Sequence, residues 1–189
     1  MLPIAVNVAE QRIVVVGRGL AGLQRYELVR ASGAERIVLF AIDQDGWACH
    51  AEALVHERLP EAGDFRGARV VFIAGLPLDV STELAALARH SGALVNVEDM
   101  SHLCDFHVPA IVRRGDLLVA VSTGGRVPGL AQTLKRHLES IIGPEWEVRL
   151  RNLADQRATW RRQGIPKDQV IRQTAEIIER EQWLPGRSS

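Results

Sequence analysis

The stretch Ile13-Val14-Val15-Val16-Gly17-Arg18-Gly19-Leu20-Ala21-Gly22 constrains this chain more than any other. Four β-branched residues in succession read as a short strand buried on both faces. The run then breaks into glycines spaced Gly17-x-Gly19-x-x-Gly22. That spacing is a dinucleotide fingerprint when a strand precedes it and an amphipathic helix follows. The first glycine makes the tight turn out of the strand, the second lets backbone N–H groups approach a pyrophosphate, and the third permits close helix–strand packing. Leu20, Leu23, Tyr26 (or Leu28) and Ala31 recur at helical spacing, and Ser32-Gly33 closes the helix. An anion would sit at the positive end of that helix. Gly17, Arg18, Gly19, Leu20 and Gly22 are therefore candidate cofactor-binding residues. Asp43, a little beyond the next strand, is the candidate ribose-binding acid, and its late position equally suits a solvated loop acid.

The rest of the N-terminal half repeats the pattern. Arg36–Ala41, Arg69–Ala74 and Ala93–Val97 read as buried strands, and Glu57–Leu59 as a short one. Ser81–His90 reads as a helix with Ser81 as N-cap and Leu84, Leu87 and Ala88 on its apolar face. Cys49–Leu54 is a further possible helix. Apolar strands alternating with helices imply a parallel sheet covered on both sides, a doubly wound, Rossmann-like α/β domain. The texture changes near Ile111. Leu117–Ser122 is a strand, Gly124-Gly125 turns the chain, and a helix from Pro128 to about Ile142 carries an apolar stripe of Leu130, Leu134, Leu138 and Ile141. From Trp146 to Trp183 the chain reads as helical and basic, interrupted near Gly164-Ile165-Pro166. The expected parts are a dinucleotide-binding domain over 1–111, a small α+β region over 112–145 and a helical module over 146–189.

A chain of 189 residues, 47% of them hydrophobic, is long enough for such a domain with an appended module, and no disordered or fibrous class fits. No apolar run approaches the roughly 20 residues that cross a bilayer. The start, Met1-Leu2-Pro3-Ile4, has no basic n-region, so a soluble cytoplasmic protein is expected. Two cysteines cannot build a disulfide framework, and Cys104 reads as a small buried hydrophobe. His102, Cys104 and His107 lack a recognised ligand spacing, so no protein-bound metal is expected. The net charge of zero hides an asymmetry: residues 1–111 hold 9 basic and 14 acidic side chains, residues 112–189 hold 14 and 9. The basic part suits an anionic ligand. Few aromatics leave no stacking platform, so nucleic acid is not an expected partner.

A second group of motifs is more specific than the first. Val95-Asn96-Val97-Glu98-Asp99 is followed by Leu103-Cys104-Asp105-Phe106, then Pro109-Ala110-Ile111-Val112, Gly115-Asp116-Leu117 and Ser122-Thr123-Gly124-Gly125-Arg126-Val127-Pro128. In this order, behind the glycine loop, they resemble the sirohaem synthase family, and in particular its precorrin-2 dehydrogenase/sirohydrochlorin ferrochelatase module. The resemblance covers about residues 1–145. It implies NAD-dependent oxidation of precorrin-2 to sirohydrochlorin, with iron insertion in the same cleft in many members (Fe2+ then being a substrate). It also implies a homodimer joined through the central region, with a helical C-terminal module.

The acid closing the family's Asn-Val-x-Asp motif falls on Asp99. Independently of the resemblance, Asp99 follows a buried strand at the carboxyl edge of the sheet, where open α/β sheets bind ligands. A carboxylate there can accept a proton as the macrocycle loses a hydride; it can also cap the next segment. Asn96 is read as orienting nearby backbone or cofactor groups. After the strand ending Ile73-Ala74 the family has a Thr/Asp-rich turn near the cofactor; here that turn is Gly75-Leu76-Pro77-Leu78-Asp79, a departure, and Ala74 and Gly75 are candidate cofactor-binding residues by that position. Thr123 replaces the serine before Gly124-Gly125 and keeps its hydroxyl, for a ligand or for the turn. A substrate rich in carboxylates suits Arg113, Arg114, Arg126 and Lys135, with Arg149, Arg151, Arg157, Arg161 and Arg162 approaching from the helical module. Asn96, Arg113, Arg114, Thr123, Gly124 and Arg126 form the candidate substrate set. The chain also departs from the family loop: Arg18 replaces a glycine, Gly22 an alanine, and Gln24-Arg25 an Arg-Lys pair. A chelatase without oxidation, or a non-catalytic tetrapyrrole- or NAD-binding regulator on the same fold, is the alternative those departures leave open.

Overall fold

The computed structural model describes residues 2–42 and 53–184. The chain divides into two compact units, Met1–Val108 and Pro109–Ser189. In the first, β1 (Arg12–Gly17), β2 (Arg36–Ala41), β3 (Leu54–His56), β4 (Val70–Ala74) and β5 (Leu94–Val97) form one sheet in the order β3-β2-β1-β4-β5. Every pairing is parallel, with Gly17 of β1 level with Ala41 on one side and Ala74 on the other. β1 is central because its run Ile13–Val16 is apolar on both faces, and all four residues are buried.

The period-2 alternation of the strands sorts their side chains onto two helices. Ile13, Val15, Ile37, Leu39, Val70 and Phe72 pack with Tyr26 and Val29 of α1 (Gly19–Ala31). Val14, Val16, Val38, Phe40, Val71, Ile73, Val95 and Val97 pack with Leu84, Ala85 and Ala88 of α2 (Leu78–His90). Each fully buried side chain of this size stabilises the fold by about 1.5–3 kcal/mol. The doubly wound, Rossmann-like sheet expected from the chain is present.

Local assignments needed correction. The buried face of α1 is Gly22, Tyr26 and Val29, while Leu20 is 68% exposed, because the helix starts at Gly19 and turns Leu20 away from the sheet. α2 begins three residues before Ser81, with Pro77 at its N-cap. Ser81 lies buried inside the helix and its hydroxyl donates to Leu76 O. The short strand is Leu54–His56 rather than Glu57–Leu59, since Leu54 and Val55 pair with Val38 and Leu39. Leu54 thus opens a strand rather than ending a helix; positions 49–52 of that expected helix, like Asp43 and Asp45, lie outside the described residues. Arg58 instead pairs with Asp64 (2.7 Å) and lies over the Phe40 ring, which stacks on His56.

The second unit holds an antiparallel ribbon, β6 (Ala110–Arg114) with β7 (Leu117–Val121), and three helices: α3 (Pro128–Ile141), α4 (Glu145–Arg162) and α5 (Lys167–Arg180). β6 was not anticipated, and the division between units falls ahead of it. α4 packs on both ribbon strands as well as on α5, so residues 112–145 and 146–189 belong to one body rather than two modules. The apolar stripe of α3 forms as expected but is largely uncovered: only Ala131 is buried, while Leu130, Leu134 and Ile141 are 49%, 42% and 54% exposed. No helix among the described residues is long and apolar enough to cross a membrane.

Candidate dinucleotide-binding and active site

At the carboxyl edge of the sheet the loops after β1 and β4 are laced together. The Arg18 N–H donates to Ala74 O (3.1 Å), the Gly22 N–H to Arg18 O (3.1 Å) and the Ile42 N–H to Gly17 O (3.0 Å). Gly17 and Gly22 touch so closely that a Cβ on Gly17 would collide with the Gly22 backbone. Gly19, at φ +53°, faces open space. A Cβ on Gly75 would lie 2.8 Å from Arg18 O and 3.2 Å from the Ala21 side chain. α1 has no side-chain cap and no acid in its first turn. Its unpaired N–H groups and positive end therefore face the space above Gly19, where an anion can take them. Gly17, Arg18, Gly19, Leu20, Gly22, Ala74 and Gly75 are brought together at this edge, and they fit a dinucleotide's pyrophosphate.

Next along the edge, β5 ends in a tight turn. The Glu98 N–H donates to Ile73 O (2.9 Å) and the Met100 N–H to Val97 O (3.4 Å). Between them Asp99 adopts φ +56°, one of two non-glycine residues with positive φ among those described, and its side chain is exposed. A non-glycine residue in that region costs about 1–2 kcal/mol and persists only where its surroundings over-determine it.

The surroundings come from the Cys104-Asp105-Phe106 segment, whose role the sequence did not disclose. β5 is an edge strand, and this segment covers its free side. Asp105 accepts the Val95 N–H (2.9 Å), while its own N–H donates to Val95 O (2.8 Å). Arg89 holds the same carboxylate through Nε (2.9 and 3.1 Å). The Cys104 thiol accepts the Val97 N–H (3.3 Å) and donates to Val97 O (3.1 Å). Asn96, 5% exposed, donates through Nδ2 to Phe106 O (2.9 Å). The Asn96 Oδ1 is buried without a partner among the described residues. Among those residues no three His, Cys, Asp or Glu side chains gather as a metal site.

In the second unit the Ser122–Val127 turn is self-supporting. The Gly124 N–H donates to Ser122 Oγ (3.2 Å), the Val127 N–H to Thr123 Oγ1 (3.3 Å) and the Arg126 N–H to Thr123 O (3.2 Å). Gly124 and Gly125 supply the positive φ values, 64° and 76°, that the turn requires. The Thr123 hydroxyl therefore does serve the turn. Arg113 and Arg126 are exposed, but Arg114 is used structurally. Its Nε donates to Ile142 O (2.9 Å) and its Nη2 to Glu139 O (3.5 Å), capping the C-terminal end of α3. Lys135, Arg149 and Arg151 pair with acids of their own helices, and Arg149 also lies between the Trp146 and Trp183 rings. Arg157, Arg161 and Arg162 stand exposed. Asp99 and the glycine loop belong to one unit, the Thr123 turn and these arginines to the other.

A parallel sheet with a glycine loop at its switch point defines a dinucleotide-binding α/β protein. Comparison with known proteins agrees. Residues 4–110 match the family described as putative NAD(P)-binding. The siroheme synthase of Methylococcus capsulatus is 34% identical over 182 residues, covering 90% of this chain and 36% of that protein. The siroheme synthase of Chromobacterium violaceum is 35% identical over 143 residues, covering 74% and 30%. A solved structure titled SirC, precorrin-2 dehydrogenase superposes with a TM-score of 0.78 at 21% identity, over 98% of this chain and 93% of that one, which shows the shared fold. The chain belongs to the putative NAD(P)-binding family, and siroheme synthases are among the relatives that cover most of its length. It spans about a third of the length of the curated relatives it matches.

Proposed function

We propose that this chain is an NAD-dependent precorrin-2 dehydrogenase, oxidising precorrin-2 to sirohydrochlorin in sirohaem biosynthesis. The observation that carries this reading is the placement of Asp99 on the sheet edge that also holds the glycine loop, in a left-handed turn pinned by Ile73, Val97 and Cys104. The names of the siroheme synthases and of the SirC neighbour support the substrate class.

Bound NAD supplies the hydride acceptor. The first N–H groups of α1, freed by the absence of a cap, hold the pyrophosphate, and Gly17 and Gly22 let the helix lie close enough to do so. The reaction removes a hydride and a proton from the macrocycle, giving sirohydrochlorin, NADH and one proton. The Asp99 carboxylate, exposed at this edge, receives that proton as the C–H bond breaks and passes it to solvent. On the second unit, Arg113, Arg126 and the Thr123-Gly124 turn offer charge-assisted and backbone hydrogen bonds suited to carboxylates. Arg114 leaves this set because its nitrogens are committed to backbone carbonyls of Arg113, Glu139 and Ile142, and Asn96 acts through backbone rather than on substrate. The uncovered stripe of α3 is the homodimer contact of residues 112–145.

Iron insertion into sirohydrochlorin is the second step of this proposal. Asp99 favours it too, as an exposed carboxylate able to take the pyrrole protons that the metal displaces. The test is incubation of purified protein with precorrin-2 and NAD, read by the sirohydrochlorin spectrum, then with Fe2+. Product is expected from wild type and none from folded Asp99→Ala. Wild type that binds NAD yet leaves precorrin-2 unchanged overturns the dehydrogenase; metal insertion without NAD turnover would identify a chelatase.

A further inference from the structure

Arg25 and Glu98 form the one ion pair among the described residues that ties α1 to the end of β5. Arg25 stands in the second turn of α1, the helix opened by the glycine loop, and Glu98 directly precedes Asp99. Nη2 lies 3.4 Å from Oε1, and the two side chains are only 22% and 19% exposed. Arg25 Nε is buried without a hydrogen-bond partner among the described residues. A guanidinium withdrawn this far from water with a single carboxylate to answer it depends on that carboxylate's position. The pair also neutralises the charge neighbouring Asp99, which would otherwise repel it.

From this we infer that the Arg25–Glu98 pair is a positioning device that fixes the Asp99 carboxylate relative to the cofactor loop. Two anchors of the Asp99 turn lie on the α2 side or in the backbone: Cys104 against Val97, and the Glu98 N–H on Ile73 O. Arg25 is the anchor from the α1 side. It joins the helix whose N-terminus meets the pyrophosphate to the turn whose acid meets the substrate. Placing reacting groups to within a fraction of an ångström is worth large rate factors, and a left-handed aspartate has a lower-energy conformation to relax into once an anchor is lost.

The inference rests on the dehydrogenase reading for its kinetic readout, so its test has a second arm that does not. Arg25→Met should lower kcat about tenfold with the Kd for NAD within twofold of wild type. Arg25→Lys, which keeps the charge, should recover most of that loss, and the exchange Arg25→Glu with Glu98→Arg should recover part of it. In hydrogen exchange followed by NMR, the Glu98 and Met100 amides of Arg25→Met should exchange faster than wild type while those of β1 do not change. Unchanged exchange at those two amides overturns the inference whatever the kinetics show. So does a kcat loss matched by an equal weakening of NAD binding, since Arg25 would then serve the cofactor alone. Asp99→Asn assayed alongside separates the two claims: full activity in that variant defeats the catalytic reading, while the exchange measurement still decides whether Arg25 holds the turn. Should Arg25→Met fail to fold, Glu98→Gln carries the same two measurements.

Discussion

Replacing Gly17 and Gly19 one at a time with alanine separates two reasons for a glycine that a sequence pattern treats alike. In Gly17→Ala the added methyl meets Gly22 Cα, a backbone atom that no rotamer change can move. β1 is hydrogen-bonded to β2 on one side and β4 on the other, so the strand cannot retreat, and α1 must lift away. Overpacking a well-filled site costs about 1–3 kcal/mol, and contact with backbone puts this one near the upper end. For a unit of about 100 residues that is a fall in Tm of roughly 12 °C. In Gly19→Ala the methyl enters open space, and the penalty is the left-handed backbone at φ +53°, about 1 kcal/mol. Its Tm should fall by only about 4 °C. The methyl, however, stands where the pyrophosphate approaches α1, and losing one charge-assisted hydrogen bond of about 1.5–3 kcal/mol weakens NAD binding tenfold or more. Calorimetry for Tm and NAD titration by fluorescence measure both quantities. Equal Tm losses in the two variants, or unchanged NAD affinity in Gly19→Ala, would refute the division of labour.

Asp105→Ala removes the side-chain acceptor of the Val95 N–H and one side of the Arg89 pair. A loss of about 2 kcal/mol in urea unfolding is expected, with Asp105→Asn retaining about half, and a change of only a few tenths would show that the edge of β5 is not held this way. The Arg58 guanidinium and the Glu61 N–H hold the Asp64 carboxyl below the ordinary carboxylate range. Its contribution is therefore complete above that range and disappears as pH falls through the lowered value. The Tm gap between wild type and Arg58→Met should accordingly be constant at neutral pH and narrow as the solution is acidified, and a gap that does not narrow in acid would contradict the assignment. Leu134→Glu, on the uncovered stripe of α3, should convert a dimer to monomers in sedimentation at micromolar concentration. A wild type already monomeric there would remove the proposed contact.

How much was legible beforehand follows from the range of the interactions involved. β1, α1, β2 and β5 were read within one residue at most ends, because runs of β-branched residues, a helical period and a closing Ser32-Gly33 are local signals. Ser81 misled because serine is a good N-cap in isolation; only the packing of α2 showed that Pro77 starts the helix and that Ser81 is buried. Arg114 looked like a ligand for carboxylates, since nothing near it in sequence revealed carbonyls about 25 residues ahead at the end of α3.

The amino-acid order alone determined the alternation of strands and helices, the glycine turn and the acid that follows the last parallel strand. These depend on residues a few positions apart, where propensity and periodicity act directly. Tertiary structure decided which side of β5 is covered, that Asp99 is held left-handed, that Arg25 reaches Glu98 and that the stripe of α3 stays open. Each of those outcomes depends on groups distant along the chain whose meeting is set by sheet order and helix packing, and no local pattern encodes that meeting.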